Sequence, residues 1–177
     1  LVVDLDSQGS MTSIFGGKVA DEWETVFPLL ARHYANHLRG ENQRRLDRGD
    51  APLPLDDTLT DALEIKAGDL IQPTHWPNID LIGAQLNLYW AEFQIPVWRM
   101  QGRGWKLWDA LTDMFAADGV LDTYDVIFID TPPALGYLTI NGLAAADILL
   151  VPLGASFLEF DSTGRFFDML HSTFGSI

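Results

Sequence analysis

The residues best able to do chemistry in this chain are carboxylates placed at the ends of apolar runs. In the opening stretch LVVDLDSQGS, Asp4 and Asp6 alternate with Val3 and Leu5. Alternation along a strand puts both acids on one side. Such a pair could orient an attacking water and organise the shell of a metal, the positioning and charge neutralisation that phosphoryl transfer requires. Two carboxylates that simply begin a turn are the competing reading. Asp130 ends a second apolar run, residues 126–129, and precedes Thr131, Pro132 and Pro133. Its carboxylate is expected at the carboxyl end of a buried strand, where open α/β sheets place their ligands. In a nucleotide site it would hold Mg²⁺ through water, because Mg²⁺ gives up its hydration reluctantly. His33 and His37 in HYANH have the i, i+4 spacing of a helical zinc site. They lack a third ligand and the Glu of a metalloprotease motif, so they read as an exposed helix.

The elements that must hold these acids follow from periodicity. Val2, Val3 and Leu5 predict a strand ending at a Ser-Gln-Gly-Ser turn, and MTSIFGG predicts a helix after it. Trp23, Val26, Phe27, Leu30, Tyr34 and Leu38 recur at helical spacing. Pro28 must start, kink or split that helix, giving two short pieces or one bent one. Residues 40–57 are polar and rich in Gly, Pro and Asp, and predict an exposed, flexible connection. A short helix over DDTLTDALE follows, capped by Asp57 or Thr58. IDLIGAQ predicts a strand, LNLYWAEF a helix start or turn, and GWKLWDALTDMFAAD an amphipathic helix whose Trp105 and Trp108 serve packing. Residues 126–129 and 148–151 are continuous apolar runs, as in strands covered on both faces, with LTINGLAAAD as the crossover helix between them. The order predicts an α/β domain with a mostly parallel sheet and flanking helices, occupying residues 1–177 as a single domain.

Composition narrows the chemistry. The chain has 177 residues, of which 47% are hydrophobic, enough for one domain with a substantial core. It contains no cysteine, which excludes disulfides, thiolate metal sites and cysteine-held iron–sulfur clusters and suits a cytoplasmic protein. No apolar run approaches the ~20 residues of a membrane span. Eleven Lys and Arg stand against 25 Asp and Glu, a net charge of −14. That balance argues against a domain wrapped by nucleic acid, so any contact with DNA must be local. Arg39, Arg44, Arg45 and Arg48, set among acids and glycines, read as a solvated stretch rather than a DNA patch.

Taken in order, VVDLDSQGSMTS, HWPNIDLIGAQLNLYWAE and YDVIFIDTPPALGYLTINGLAAADILLVPL resemble the ParA family of plasmid and chromosome partition ATPases. The resemblance is strong in the first and last segments, moderate between them, and poor over residues 19–56. It implies the deviant Walker A P-loop NTPase fold. In that family the first segment is written DLDPQG. The resemblance gives Asp6 the role of positioning the hydrolytic water and matches Asp4 to the first aspartate, a cofactor-site residue. Ser7 stands where the family usually has proline. Asp130 matches the acid that organises Mg²⁺, Thr131, Pro132 and Pro133 match the second switch, and Pro152 matches the segment lining the adenine pocket.

Family members also carry a Lys-Gly-Gly-x-Gly-Lys-Thr phosphate loop on the preceding strand, and no Gly-x-x-x-x-Gly-Lys-[Ser/Thr] occurs in these 177 residues. The resemblance therefore implies a chain truncated before its second strand, incomplete at both ends and inactive alone. Residues 126–130 and 148–151 are expected either to pair directly or to have the gap filled by another segment. For the intact protein the resemblance implies ATP and Mg²⁺ as cofactors, a homodimer, binding to non-specific DNA, a ParB-type centromere-binding partner and no membrane. The alternatives are a MinD-like positioning ATPase, or a non-enzymatic interaction module on the same fold. The missing cysteines disfavour relatives of the nitrogenase iron protein.

Overall fold

The computed structural model describes residues 1–152, 154 and 157–174, without the side chains of 157–160, 173 and 174. It divides into two units, Leu1–Ala146 and Asp147–Ile177. In the first, β1 (Val2–Asp4), β2 (Ile71–Pro73), β3 (Asp80–Ile82) and β4 (Phe128–Asp130) form one sheet in the order β2-β3-β1-β4. β1 runs parallel to both β3 and β4, and β2 is antiparallel to β3. The sheet is therefore mostly parallel, with helices around it. Val3, Leu5, Leu81 and Ile82 are fully buried, as strands covered on both faces require. Asp4 lies opposite Asp130 in the β1–β4 register.

After β1 the chain enters α1 (Ser10–Ile14), and a 3₁₀ turn at Glu22–Glu24 precedes α2 (Phe27–Asp47). Pro28 starts α2 rather than kinking it. It occupies the first turn, where its missing N–H costs nothing. Phe27, Leu30, Ala31, Tyr34, Ala35 and Leu38 form the buried stripe. Tyr34 packs on Trp98 and Trp105 at ring distances of 5.4 and 4.8 Å, so Trp105 is core. Trp108 stacks on Tyr137 and lies under the Arg99 guanidinium, which also makes it a packing residue.

Helix α2 carries residues 40–47, which corrects the expected connection over 40–57 to its second half. Glu41 pairs with Arg44 and Arg48 along the exposed side, and Asp50 N and Gly49 N donate to Arg45 O and Leu46 O to close the helix. Asn42 then holds the connection through two hydrogen bonds to Leu53. α3 (Asp57–Ala62) is capped by Asp56, one residue before the expected Asp57 or Thr58, its carboxylate accepting from Leu59 N at 2.9 Å. α4 (Ala67–Leu70), α5 (Ala91–Gln101), α6 (Ala110–Ala117) and α7 (Val120–Thr123) follow, and α8 (Tyr137–Ala145) succeeds β4. The buried Arg32–Asp118 pair joins α2 to the end of α6, with Ile65 O and Ala67 N using the remaining donor and acceptor capacity.

The second unit contains α9 (Phe157–Phe174), with an Arg165–Asp161 ion pair on its surface. Residues 148–151 do not form the expected strand, and β4 has β1 as its one partner among the described residues. The expected direct pairing of 126–130 with 148–151 is thus not found. An apolar run without a neighbouring ladder has nowhere to place its backbone hydrogen bonds.

Candidate functional site

The site is built where β1 and β4 end side by side. Leu5 N donates to Asp130 O at 2.8 Å, extending the ladder past Asp4 and fixing how the two acidic ends face each other. Past Leu5 the chain turns: Gln8 N donates to the Asp6 carboxylate at 3.0 Å, and Gly9 N donates to Asp6 O. Gly9 has φ of +63°, and a Cβ there would come within 2.9 Å of Ala84 O. Only glycine takes this turn without strain.

Asp4 and Asp6, alike in sequence, end up differently. Asp4 is fully buried, and its two oxygens accept from Thr12 N (2.8 Å), Thr12 Oγ1 (2.7 Å) and Asp6 N (3.0 Å). Thr12 Oγ1 in turn accepts from Ala84 N at 2.7 Å. Together these bonds make Asp4 a brace joining β1, α1 and the end of β3. Burial raises the Asp4 carboxyl above the ordinary carboxylate range, the Thr12 bonds oppose that, and the Asp6 charge adds to it. Asp6 is half-buried on the turn that this brace holds.

Asp130 is half-buried and its carboxylate accepts no hydrogen bond among the described residues. Burial, then the charges of Asp4 and Asp6, raise its affinity for a proton. A carboxylate held unpaired beside two others favours a cation. No group of three His, Cys, Asp or Glu among the described residues could ligate a metal directly. A single half-buried carboxylate with no hydrogen-bond partner among the described residues is the kind of donor that suits a cation keeping its own waters, as Mg²⁺ does, while no lysine-and-glycine phosphate loop occurs in this sequence. Thr131 and Pro132 follow Asp130 directly and are half-buried. Gly142 lets α8 approach them, since a Cβ there would lie 3.1 Å from Thr131 Cγ2 and 3.0 Å from Leu5 Cδ1. Pro152 falls in the second unit, exposed and outside any helix or strand.

Two site residues escaped sequence reasoning. Thr12 lies in a stretch read only as a helix start. Glu92, in the first turn of α5, accepts from Tyr137 N and Leu138 N at 2.8 and 2.9 Å, capping α8 behind the Thr131–Pro132 segment. Nothing near either residue in sequence signals these bonds.

A family model described as an AAA domain matches residues 1–172. The chain belongs to this ParA-like AAA-domain family. It is 37% identical over 165 residues to the chromosome partitioning protein ParA of Myxococcus xanthus, covering 93% of this chain and 44% of that protein. It is 30% identical over 172 residues to the cell division protein PomZ of the same organism, covering 97% of this chain and 42% of that one. The chain thus spans less than half the length of these relatives. Its fold resembles that of cobyrinic acid a,c-diamide synthase from Mycobacterium smegmatis with a bound ATP analogue and magnesium. The TM-score is 0.64 at 24% identity, covering 97% of this chain and 52% of that one.

Proposed function

We propose that this chain is the acid-bearing part of a ParA-type partition ATPase domain. The observation that carries the reading is the juxtaposition of Asp6 and Asp130 at the carboxyl ends of two adjacent parallel strands. In this reading Asp6, on its braced turn, orients the attacking water. Asp130 holds the hydration shell of Mg²⁺, which when bound neutralises phosphate charge. Thr131 and Pro132 form the switch beside it, and Pro152 contributes to the adenine pocket. Asp4 fixes the geometry of the Asp6 turn without touching the nucleotide.

The intact protein would use ATP and Mg²⁺, act as a homodimer in the cytoplasm, bind DNA without sequence preference and answer to a ParB-type partner. Its similarity to a chromosome partitioning protein and a cell division protein supports that assignment. The phosphate-loop strand would lie along the outer edge of β4, where Val126 and Phe128 are 56% and 63% exposed although they belong to an apolar strand run. In the full-length protein, Asp6→Ala should abolish ATP turnover while leaving ATP binding largely intact, because a water-orienting carboxylate acts mainly in the transition state. Steady-state turnover beside nucleotide-binding titrations tests this, and near-normal turnover would overturn it. The 177-residue chain alone should show little or no calorimetric binding of Mg-ATP. Its carboxylates meet the phosphates without the loop's donors.

A further inference from the structure

The HYANH segment reads in sequence as an exposed helix, yet the His33 side chain is only 12% exposed. It faces the loop of residues 102–106 that follows α5, and both of its ring nitrogens are engaged. The Trp105 indole Nε1–H donates to His33 Nδ1 at 2.9 Å. His33 Nε2 lies 3.1 Å from Asp113 Oδ2 on α6. An indole N–H can only donate, so Nδ1 must present a lone pair. The ring is therefore neutral, with its one proton on Nε2 and directed at Asp113.

The Trp105 bond is the single side-chain hydrogen bond between this loop and α2 among the described residues. The loop lies close against the helix: the Trp105 ring is 4.8 Å from that of Tyr34, and a Cβ on Gly102 would come within 2.5 Å of Tyr34 Cε2. A second proton on the imidazole, placed on Nδ1, sets one N–H against another. The indole must then move, because it has no lone pair to offer. The charged and titratable groups around the ring are Asp113 of α6, Asp109 at its N-cap, Lys106 on the loop, and His37 and Arg44 of α2. Burial is the larger influence and holds His33 below the ordinary histidine range, against the Asp113 hydrogen bond and the charges of Asp113 and Asp109. Asp113 is 57% exposed, so water screens its charge. A groove of about 480 Å³, whose walls include His33, His37, Arg44 and Lys106, gives solvent access to this side of α2.

We propose that His33 and Trp105 form an acid-sensitive latch, which holds the 102–106 loop closed on α2 and opens when His33 Nδ1 takes up a proton from solvent. Because folding lowers the proton affinity of His33, the native state binds fewer protons than the unfolded chain between the lowered and the ordinary value. The latch's contribution to stability is thus fully present above the ordinary histidine value and is lost as pH falls through the lowered one. None of its residues belongs to the ends of β1 or β4, so the latch stands apart from the nucleotide reading.

The test is a titration of the ¹⁵N-labelled chain from about pH 8 to about pH 5, the interval that spans histidine ionisation, following the imidazole and indole resonances. At the upper end His33 should show the Nε2–H tautomer, and the Nδ1–H tautomer would overturn the proposal. The Trp105 indole resonance, assigned by its loss in Trp105→Phe, should shift with the His33 midpoint and exchange with solvent faster below it. An indole resonance indifferent to the His33 titration would likewise overturn the latch. His33→Gln can still accept from the indole through Oε1 and donate to Asp113 through Nε2, so it should keep the loop closed and abolish the transition. His37→Gln should leave the transition in place. A transition that survives in His33→Gln, or vanishes in His37→Gln, assigns the effect to another group and defeats the proposal. Trp105→Phe should raise the His33 midpoint by up to about one pH unit, the worth of one hydrogen bond. Should His33→Gln fail to fold, that shift and the tautomer decide, and an unchanged midpoint in Trp105→Phe counts against the latch.

Discussion

Two neighbouring strands of this sheet end in an aspartate at matched register, and their carboxylates have opposite fates. Asp4 at the end of β1 is fully buried and accepts three hydrogen bonds, while Asp130 at the end of β4 is half-buried and accepts none among the described residues. The difference comes from what lies beyond each strand. β1 turns sharply into α1 and brings Thr12 back over its own end, whereas β4 runs into a proline pair that has no N–H to offer. The first acid is spent on the fold, and the second makes no hydrogen bond among the described residues. An acid at a strand end therefore reveals its role through its hydrogen bonds rather than its position.

Removing Asp4 should have the largest effect. Asp4→Ala strands Thr12 N and Asp6 N in the interior and should cost about 3 kcal/mol or more in urea unfolding. A loss below about 1 kcal/mol would remove the contrast on which the two roles rest. Thr12→Val tests the same brace from its other side, removing the hydroxyl that links Asp4 to Ala84 N at nearly constant volume. We expect a loss of about 1–2 kcal/mol, largely restored in Thr12→Ser, which keeps the hydroxyl.

Asp130→Asn should have the smallest effect and the opposite sign. The folded state holds the Asp130 proton more tightly than the unfolded chain does, because burial and the neighbouring Asp4 and Asp6 charges raise its carboxyl above the ordinary carboxylate range. Between the ordinary and the raised value the native state binds more protons than the unfolded state. This group's contribution to stability is thus fully present below the ordinary value and is lost as pH rises through the raised one. Asp130→Asn removes that loss, so the variant should gain on the parent across this window and be the more stable of the two at neutral pH, by a margin small beside the Asp4 effect. Paired urea titrations at acidic and neutral pH would show it. A variant that loses stability at neutral pH would mean that Asp130 is structurally engaged after all.

The elements that carry the site were legible where the pattern was local. The apolar runs ending at Asp4 and Asp130, the helix after Ser10 and the IDLIGAQ strand all follow from periodicity within a few residues, whereas Pro28 could start, kink or split its helix and only the fold shows that it starts α2. Local reasoning failed at residues 40–47, whose polar composition reads as loop although Glu41, Arg44 and Arg48 support a helix once α2 is anchored by its buried half. It failed again at residues 148–151, because a strand is a property of pairing and an apolar run does not contain its partner.

Taken alone, the sequence determined that acids stand at the carboxyl ends of two parallel strands, because strand period and the turn that follows are encoded within about ten residues. It did not distinguish Asp4 from Asp130, since hydrogen bonds made across the fold decide which carboxylate is consumed. The bond from Ala84 N to Thr12 Oγ1 spans 72 residues, and that from Tyr137 N to Glu92 spans 45. Only packing the sheet edge against α1 and α8 brings those groups together. That packing leaves Asp6 presented on a braced turn and the Asp130 carboxylate without a hydrogen bond among the described residues.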